Sequence, residues 1–133
     1  MSVQITTLLG SVLFRHPICS LGAHSVTCVD RIGTEHEKLG YYKDSHKRIS
    51  YNDIARLLSG LCEKHQWIPI MEGEYIIGAE KDGQSVTIEP GGQFELSGAP
   101  VATLHDTLTE VKWHIDEVQS VLLKYLSSSR TEI

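Results

Sequence analysis

Four glutamates have the residue types and spacing that could do chemistry. Glu35 and Glu37 lie two positions apart in Arg31-Ile32-Gly33-Thr34-Glu35-His36-Glu37-Lys38, and Glu89 and Glu95 bracket Pro90-Gly91-Gly92-Gln93-Phe94. Side chains alternate between the faces of a strand, so Glu35 and Glu37 share one face. By the same rule Phe94 and Leu96 point into a core while Gln93, Glu95 and Ser97 point away from it. Pro90 donates no backbone hydrogen bond, and the two glycines after it permit a bulge or a close approach of backbone to a ligand. Oxygen-only carboxylate sets are what Mg²⁺ requires, and that ion commonly bridges protein carboxylates to nucleotide phosphates. The chemistry on offer is the handling of a magnesium nucleotide. The plainer reading, a solvated acidic strand face, is favoured by spacing alone.

The elements that must carry these residues are legible around them. Asp30 to Gly40 alternates as a short strand that opens the folded part, followed by a polar loop from Tyr41 to Arg48. Ser50 is a good N-cap with Asp53 in the first turn, and Ile54, Leu57, Leu58, Leu61 and Cys62 recur at helical spacing, so a helix is predicted to end near Lys64 to Gln66. Trp67 to Met71 reads as a strand broken by Glu72-Gly73. Tyr75 to Glu80 and Ser85 to Glu89 flank Asp82-Gly83, a strong hairpin signal. Thr103 caps a second, long helix with Asp106 in its first turn; Leu104, Leu108, Val111, Ile115, Val118, Leu122 and Tyr125 form one apolar stripe predicted to lie across the sheet. The fold class expected is α+β, an antiparallel sheet with two amphipathic helices packed on one face. His36 faces away from the acids and reads as a core histidine, Cys62 and Met71 as packing, and Lys38 as an exposed basic neighbour of the acids.

With 133 residues and 41% hydrophobic content, one modest core is expected. Twelve basic against 17 acidic residues, net −5, give no electrostatic reason to bind nucleic acid or an anionic membrane. No apolar run reaches the ~20 residues of a membrane-spanning helix. Cys19, Cys28 and Cys62 show no CxxC spacing and no framework of paired bridges, so a reducing compartment is expected. Residues 1–29 contain no Asp or Glu and many hydroxyls, the composition of an organelle transit peptide; the alternative is a leader of no special purpose. The closing segment from Ser127 to Ile133 shows no apolar period.

The strings around the acids say more than their spacing. Arg31 to Lys38, then Met71-Glu72-Gly73, then Ile88-Glu89-Pro90-Gly91-Gly92-Gln93-Phe94-Glu95-Leu96-Ser97-Gly98-Ala99-Pro100, ending at Leu104-His105, closely resemble plant and proteobacterial-type glutamate-cysteine ligase in identity, order and spacing. The resemblance runs from Arg31 to about Val121. It implies a glutamine-synthetase-like ligase fold and an enzyme that uses ATP and Mg²⁺ to join the γ-carboxylate of glutamate to the amine of cysteine, the first step of glutathione synthesis. The implied metal ligands are Glu35, Glu37 and Glu95, with Glu89 and Gln93 completing the shell, and Arg31, Gln93 and Lys38 as substrate or nucleotide contacts. It also implies a chloroplast or other plastid location, the alternative being the cytoplasm. Two departures accompany it: Leu108 stands where land-plant members carry a cysteine, and family members continue well past the second helix. Residues 30–133 therefore read as the N-terminal part of the ligase domain. The alternative is a non-catalytic fragment that acts as an interaction or regulatory partner of a full-length ligase; the partners expected are glutamate and cysteine, with a homo-oligomer or association with a full-length ligase.

Overall fold

The computed structural model describes residues 3–22 and 25–128. Its order is β1 (Val3–Leu21), β2 (Val26–Tyr42), α1 (Tyr51–His65), β3 (Ile68–Glu72), β4 (Tyr75–Lys81), β5 (Gln84–Ile88), β6 (Phe94–Ser97) and α2 (Leu104–Ser128). The strands form one antiparallel sheet in the order β1-β2-β6-β5-β4-β3.

Local chemistry explains most boundaries. Ser50 accepts from the Asp53 backbone N–H at the start of α1, and Gln66 closes it in the left-handed region with its N–H on the Cys62 carbonyl. Thr103 and Asp106 exchange side chain to backbone hydrogen bonds at the start of α2. The β4–β5 hairpin turns through Asp82 and Gly83, both at positive φ (51° and 82°), the conformation a tight two-residue turn demands.

The core lies between the helices and one face of the sheet. Ile54, Leu57, Leu58 and Leu61 of α1 meet Ala79, Val86, Phe94 and Leu96 of the sheet and Val118 and Val121 of α2, with Trp67 filling the corner. The α+β class with two helices on one sheet face is the architecture observed.

Four expectations are corrected. Residues 3–21 and 26–29, expected to lie ahead of the folded part, supply β1 and the start of β2, which pair from Val3↔Tyr42 to Leu21↔Val26. Val3, Ile5, Thr6, Thr7 and Val12 are β-branched, and such residues favour a strand wherever a partner ladder is available. Second, Cys19 and Cys28 form a disulfide. Motif spacing missed it because the two are brought together by hairpin register, not by a short interval. Third, α2 is rotated from the predicted stripe. Leu104 and Leu108 of that stripe are exposed and Thr107, Glu110, His114, Glu117 and Val121 are buried beside it, while Val118 is buried and Val111 and Leu122 pack against the core as expected. Fourth, Met71 is half exposed on the sheet-edge strand β3. Ser127 and Ser128 belong to α2, and residues 129–133 lie outside the described residues.

Candidate active site

The site is built by the pairing of β2 with β6. Register sets Glu37 directly opposite Glu95 and Glu35 opposite Ser97. Facing residues on adjacent antiparallel strands have side chains about 5 Å apart at Cβ, and residues two apart share a face. Three carboxylates therefore lie together on the side of the sheet away from the helices, while Thr34, His36 and Lys38 alternate to the buried side.

Glu89 follows β5 and enters a turn in which its N–H donates to the Gln93 carbonyl (2.9 Å) and its carbonyl accepts from Gly92 N–H (2.7 Å). Gly92 takes φ +77°, a conformation that costs a side-chain-bearing residue and that glycine adopts freely. Two residues at the entrance to α1 hold this turn, Arg48 just ahead of the N-cap donating to the Gly91 carbonyl and Tyr51, the first helical residue, to the Pro90 carbonyl. The entrance to the first helix thus fixes the loop that brings Glu89 to the other acids.

Charge reports the result. The Glu95 carboxyl is raised above its ordinary value by burial, then by the neighbouring charges of Glu35, Glu89 and Glu37, against a lowering hydrogen bond from Ser97. Four acids share one electrostatic field, and among the described residues none of them is ion-paired to a basic side chain. Sets of like charge left without counter-charge suit a cation.

Residues 31–125 match the family model for glutamate-cysteine ligase family 2 (GCS2). This chain belongs to that family. All seven residues singled out from the sequence fall inside the matched segment, whereas β1 lies outside it. The chain is 50% identical over 91 residues to the chloroplastic glutamate–cysteine ligase of Arabidopsis thaliana, covering 68% of this chain and 17% of that protein. The chloroplastic glutamate–cysteine ligases of Medicago truncatula and Nicotiana tabacum match over the same length at the same identity, with 18% and 17% of their lengths covered. The chain thus spans under a fifth of the relatives it matches.

Within this glutamate-cysteine ligase family 2 segment, the remaining candidates divide. Arg31 is half-buried and, by alternation along β2, falls on the carboxylate side. Gln93 is half-buried beside the turn, its Oε1 shielded from solvent with no hydrogen-bond partner among the described residues. Lys38 is not the exposed neighbour of the acids that the sequence suggested. It lies on the inner face, fully buried, with Nζ 3.0 Å from His36 Nδ1 and donating to the His36 carbonyl at 2.9 Å. Burial lowers its pKa to about 7, partly opposed by Glu95. His36 is a core histidine as read, its pKa lowered to about 4 by burial and then by Lys38.

Sequence reasoning missed the polar lining behind the site. His114 of α2 is fully buried, stacked on Phe94 and edge-on to Trp67, and held neutral by desolvation with Lys38 and His36 nearby. Glu110 is buried too, its Oε1 accepting from the Ala99 N–H (2.8 Å) and its carboxyl raised by desolvation. That contact seats Glu110 against Gly98, whose own N–H bonds the Thr34 carbonyl at 2.7 Å. Position i, i+3, i+4 and i+7 spacing of Thr107, Glu110, Val111 and His114 was the available signal, but a polar stripe reads as solvent-facing until its partners are known.

Gly98→Ala should destabilise the chain by about 1–3 kcal/mol. A methyl there meets the Glu110 carboxylate, which cannot swing aside without losing Ala99, and comes within 2.8 Å of Thr34 Cγ2. Urea midpoints of the two proteins check this; an unchanged midpoint would show that Glu110 moves freely.

Proposed function

We propose that this chain forms the acidic wall of the catalytic site of an ATP-dependent glutamate–cysteine ligase, with Glu35, Glu37 and Glu95 holding Mg²⁺ and Glu89 and Gln93 beside them. The observation that carries this is the register that sets Glu37 opposite Glu95, with Glu35 on the same outward face. Among the described residues no three His, Cys, Asp or Glu side chains are gathered closely enough to hold an ion alone. Mg²⁺ does not need such a cage, because it keeps waters and phosphate oxygens and takes one or two carboxylates from the protein. The facing Glu37–Glu95 pair fits that demand, and the unneutralised field on Glu95 supports it. When bound, the ion supplies neutralisation of the charge that builds on phosphate oxygens during transfer.

The chain's own part is to orient. The outward carboxylates fix where the nucleotide's phosphates sit, and Arg31, on the same side, is placed to meet an anionic group of substrate or nucleotide. Lys38, on the inner face, has no route to either. The substrates proposed are glutamate and cysteine, joined through activation of the γ-carboxylate by phosphoryl transfer and attack by the amine. The reading extends to a glutamine-synthetase-like fold for the whole enzyme, to glutathione biosynthesis and to a plastid location, on the strength of the relatives' names.

The test is phosphate release that requires glutamate, cysteine and ATP together. Within the site, Glu95→Gln should weaken Mg²⁺ binding, measured by titration calorimetry, by at least the roughly 10- to 100-fold that loss of an outer-shell partner costs. Glu80→Gln, at an exposed position of β4, should leave it unchanged. Equal affinities for the two variants would remove Glu95 from the metal shell. Mg²⁺ binding without turnover, together with co-purification with a full-length ligase, would replace the catalytic reading by that of an interaction partner.

A further inference from the structure

A cavity of about 420 Å³ opens between the first turns of α1, the start of β4 and the turn that follows β5. That volume falls within the roughly 300–1,000 Å³ of small-molecule sites. Tyr51 and Tyr75 line it with aromatic rings, and Ile76 and Ile88, which also pack against the core, line it with aliphatic surface. Tyr51 donates its hydroxyl proton to the Pro90 carbonyl at 3.3 Å, which holds its ring against the turn. Asn52 and Glu89 bring an amide and a carboxylate to the same lining. Glu89 is also the link to the acidic wall, since the Glu95 carboxyl is raised by burial and then by its acid neighbours, Glu89 among them. Apolar and aromatic surface with a few hydrogen-bonding groups suits a flat heterocycle that stacks on a ring and is read along one edge.

We infer that this cavity takes a purine base, and that Asn52 selects adenine over guanine. The inference rests on reading the acidic wall as the seat of a nucleotide's phosphates: a base held here puts the sugar and phosphates next to Glu89, on the way to the other three acids. On one edge adenine offers an acceptor at N7 and a donor at N6, the complement of an amide's donor and acceptor. Guanine offers two acceptors on that edge, so the amide oxygen of Asn52 meets a like group. A pyrimidine, with one ring instead of two, covers less of the apolar lining. Asn52 is exposed on the first turn of α1, so replacing it leaves the core intact.

The experiment is saturation-transfer NMR on the full chain with adenosine and with guanosine, in buffer free of Mg²⁺. Adenosine should bind at least roughly tenfold more tightly than guanosine. Asn52→Ala should bring the two affinities together, and Ala55→Trp, which fills the cavity from α1, should abolish binding of both. Glu95→Gln should change neither, because a nucleoside carries no phosphate and calls for no metal. No transfer to adenosine at millimolar concentration, equal affinities in the wild type, or a preference that survives Asn52→Ala would overturn the inference. The wild-type comparison stands whether or not the variants fold. Adenosine bound with this preference while the acids fail to take Mg²⁺ would uphold the base site and sink the reading of the wall; Mg²⁺ bound with adenosine excluded would do the reverse.

Discussion

Raising the pH from about 7 to about 10.5 in metal-free buffer should stabilise the wild-type chain by roughly 5 kcal/mol through Lys38, and Lys38→Met should abolish that rise. The folded pKa is lowered from 10.5 to about 7, by burial first. Between these values the unfolded chain carries a proton that the folded chain does not, so stability climbs with pH across the window and falls as pH drops back through about 7. Below that both states are charged and the full penalty applies. The groups around the ammonium do little to relieve it: His36 offers Nδ1 and a carbonyl, Phe94 presents its ring at 5.8 Å, and His114 stays neutral. His36 adds a second window of about 3 kcal/mol between 6.5 and about 4, in the same direction. Denaturant unfolding of both proteins at a series of pH values isolates the Lys38 contribution, because the two chains differ only there. Parallel curves for wild type and variant above pH 7 would mean that Lys38 reaches water in the folded state.

The second large effect is expected at Glu117. Its carboxylate, 4% exposed, accepts from Trp67 Nε1 at 2.7 Å and from Lys81 Nζ at 3.1 Å, with His65 Nδ1 at 3.5 Å. Lys81 in turn lies over the Trp113 ring at 4.3 Å. One acid on α2 thus ties together the end of α1, the start of β3 and the end of β4. Removing one member of a buried pair strands the other without its counter-charge, so Glu117→Ala should cost about 3–5 kcal/mol. Replacing both ions by apolar side chains, Glu117→Leu with Lys81→Met, should cost less than Glu117→Ala alone, because no charge is left unpaired. Guanidinium midpoints for the single and double variants decide it. A double variant that loses as much as the two single changes summed would show that Lys81 is solvated and the pair is not coupled.

The elements whose signals are local were legible in the sequence. Ser50 with Asp53, Thr103 with Asp106, and Asp82-Gly83 each complete their hydrogen bonds or dihedrals within a few residues, and each sits where the spacing put it. The alternation at Thr34 to Lys38 and at Phe94 to Ser97 assigned faces correctly, because strand parity needs no knowledge of partners. What was missed depends on residues far away in the chain. Glu117 and Glu110 are buried because Trp67, Lys81 and Ala99 supply the donors, and no window along α2 contains them. Lys38 looked exposed because it stands beside two acids, although parity places it opposite them. β1 has no charge pattern to mark it and forms only against β2, and the Cys19–Cys28 bond follows from that pairing.

The β2–β6 ladder has a kinetic consequence. The meander from β3 to β5 joins neighbours in sequence, and its turns close within a few residues. Glu37 and Glu95 meet only when β2 finds β6, with all of α1 and that meander looped between them. Closing so long a segment costs more chain entropy than closing a hairpin, and such contacts form slowly. The acidic wall should therefore be among the last features to assemble during refolding, after the helices and the local hairpins are already in place.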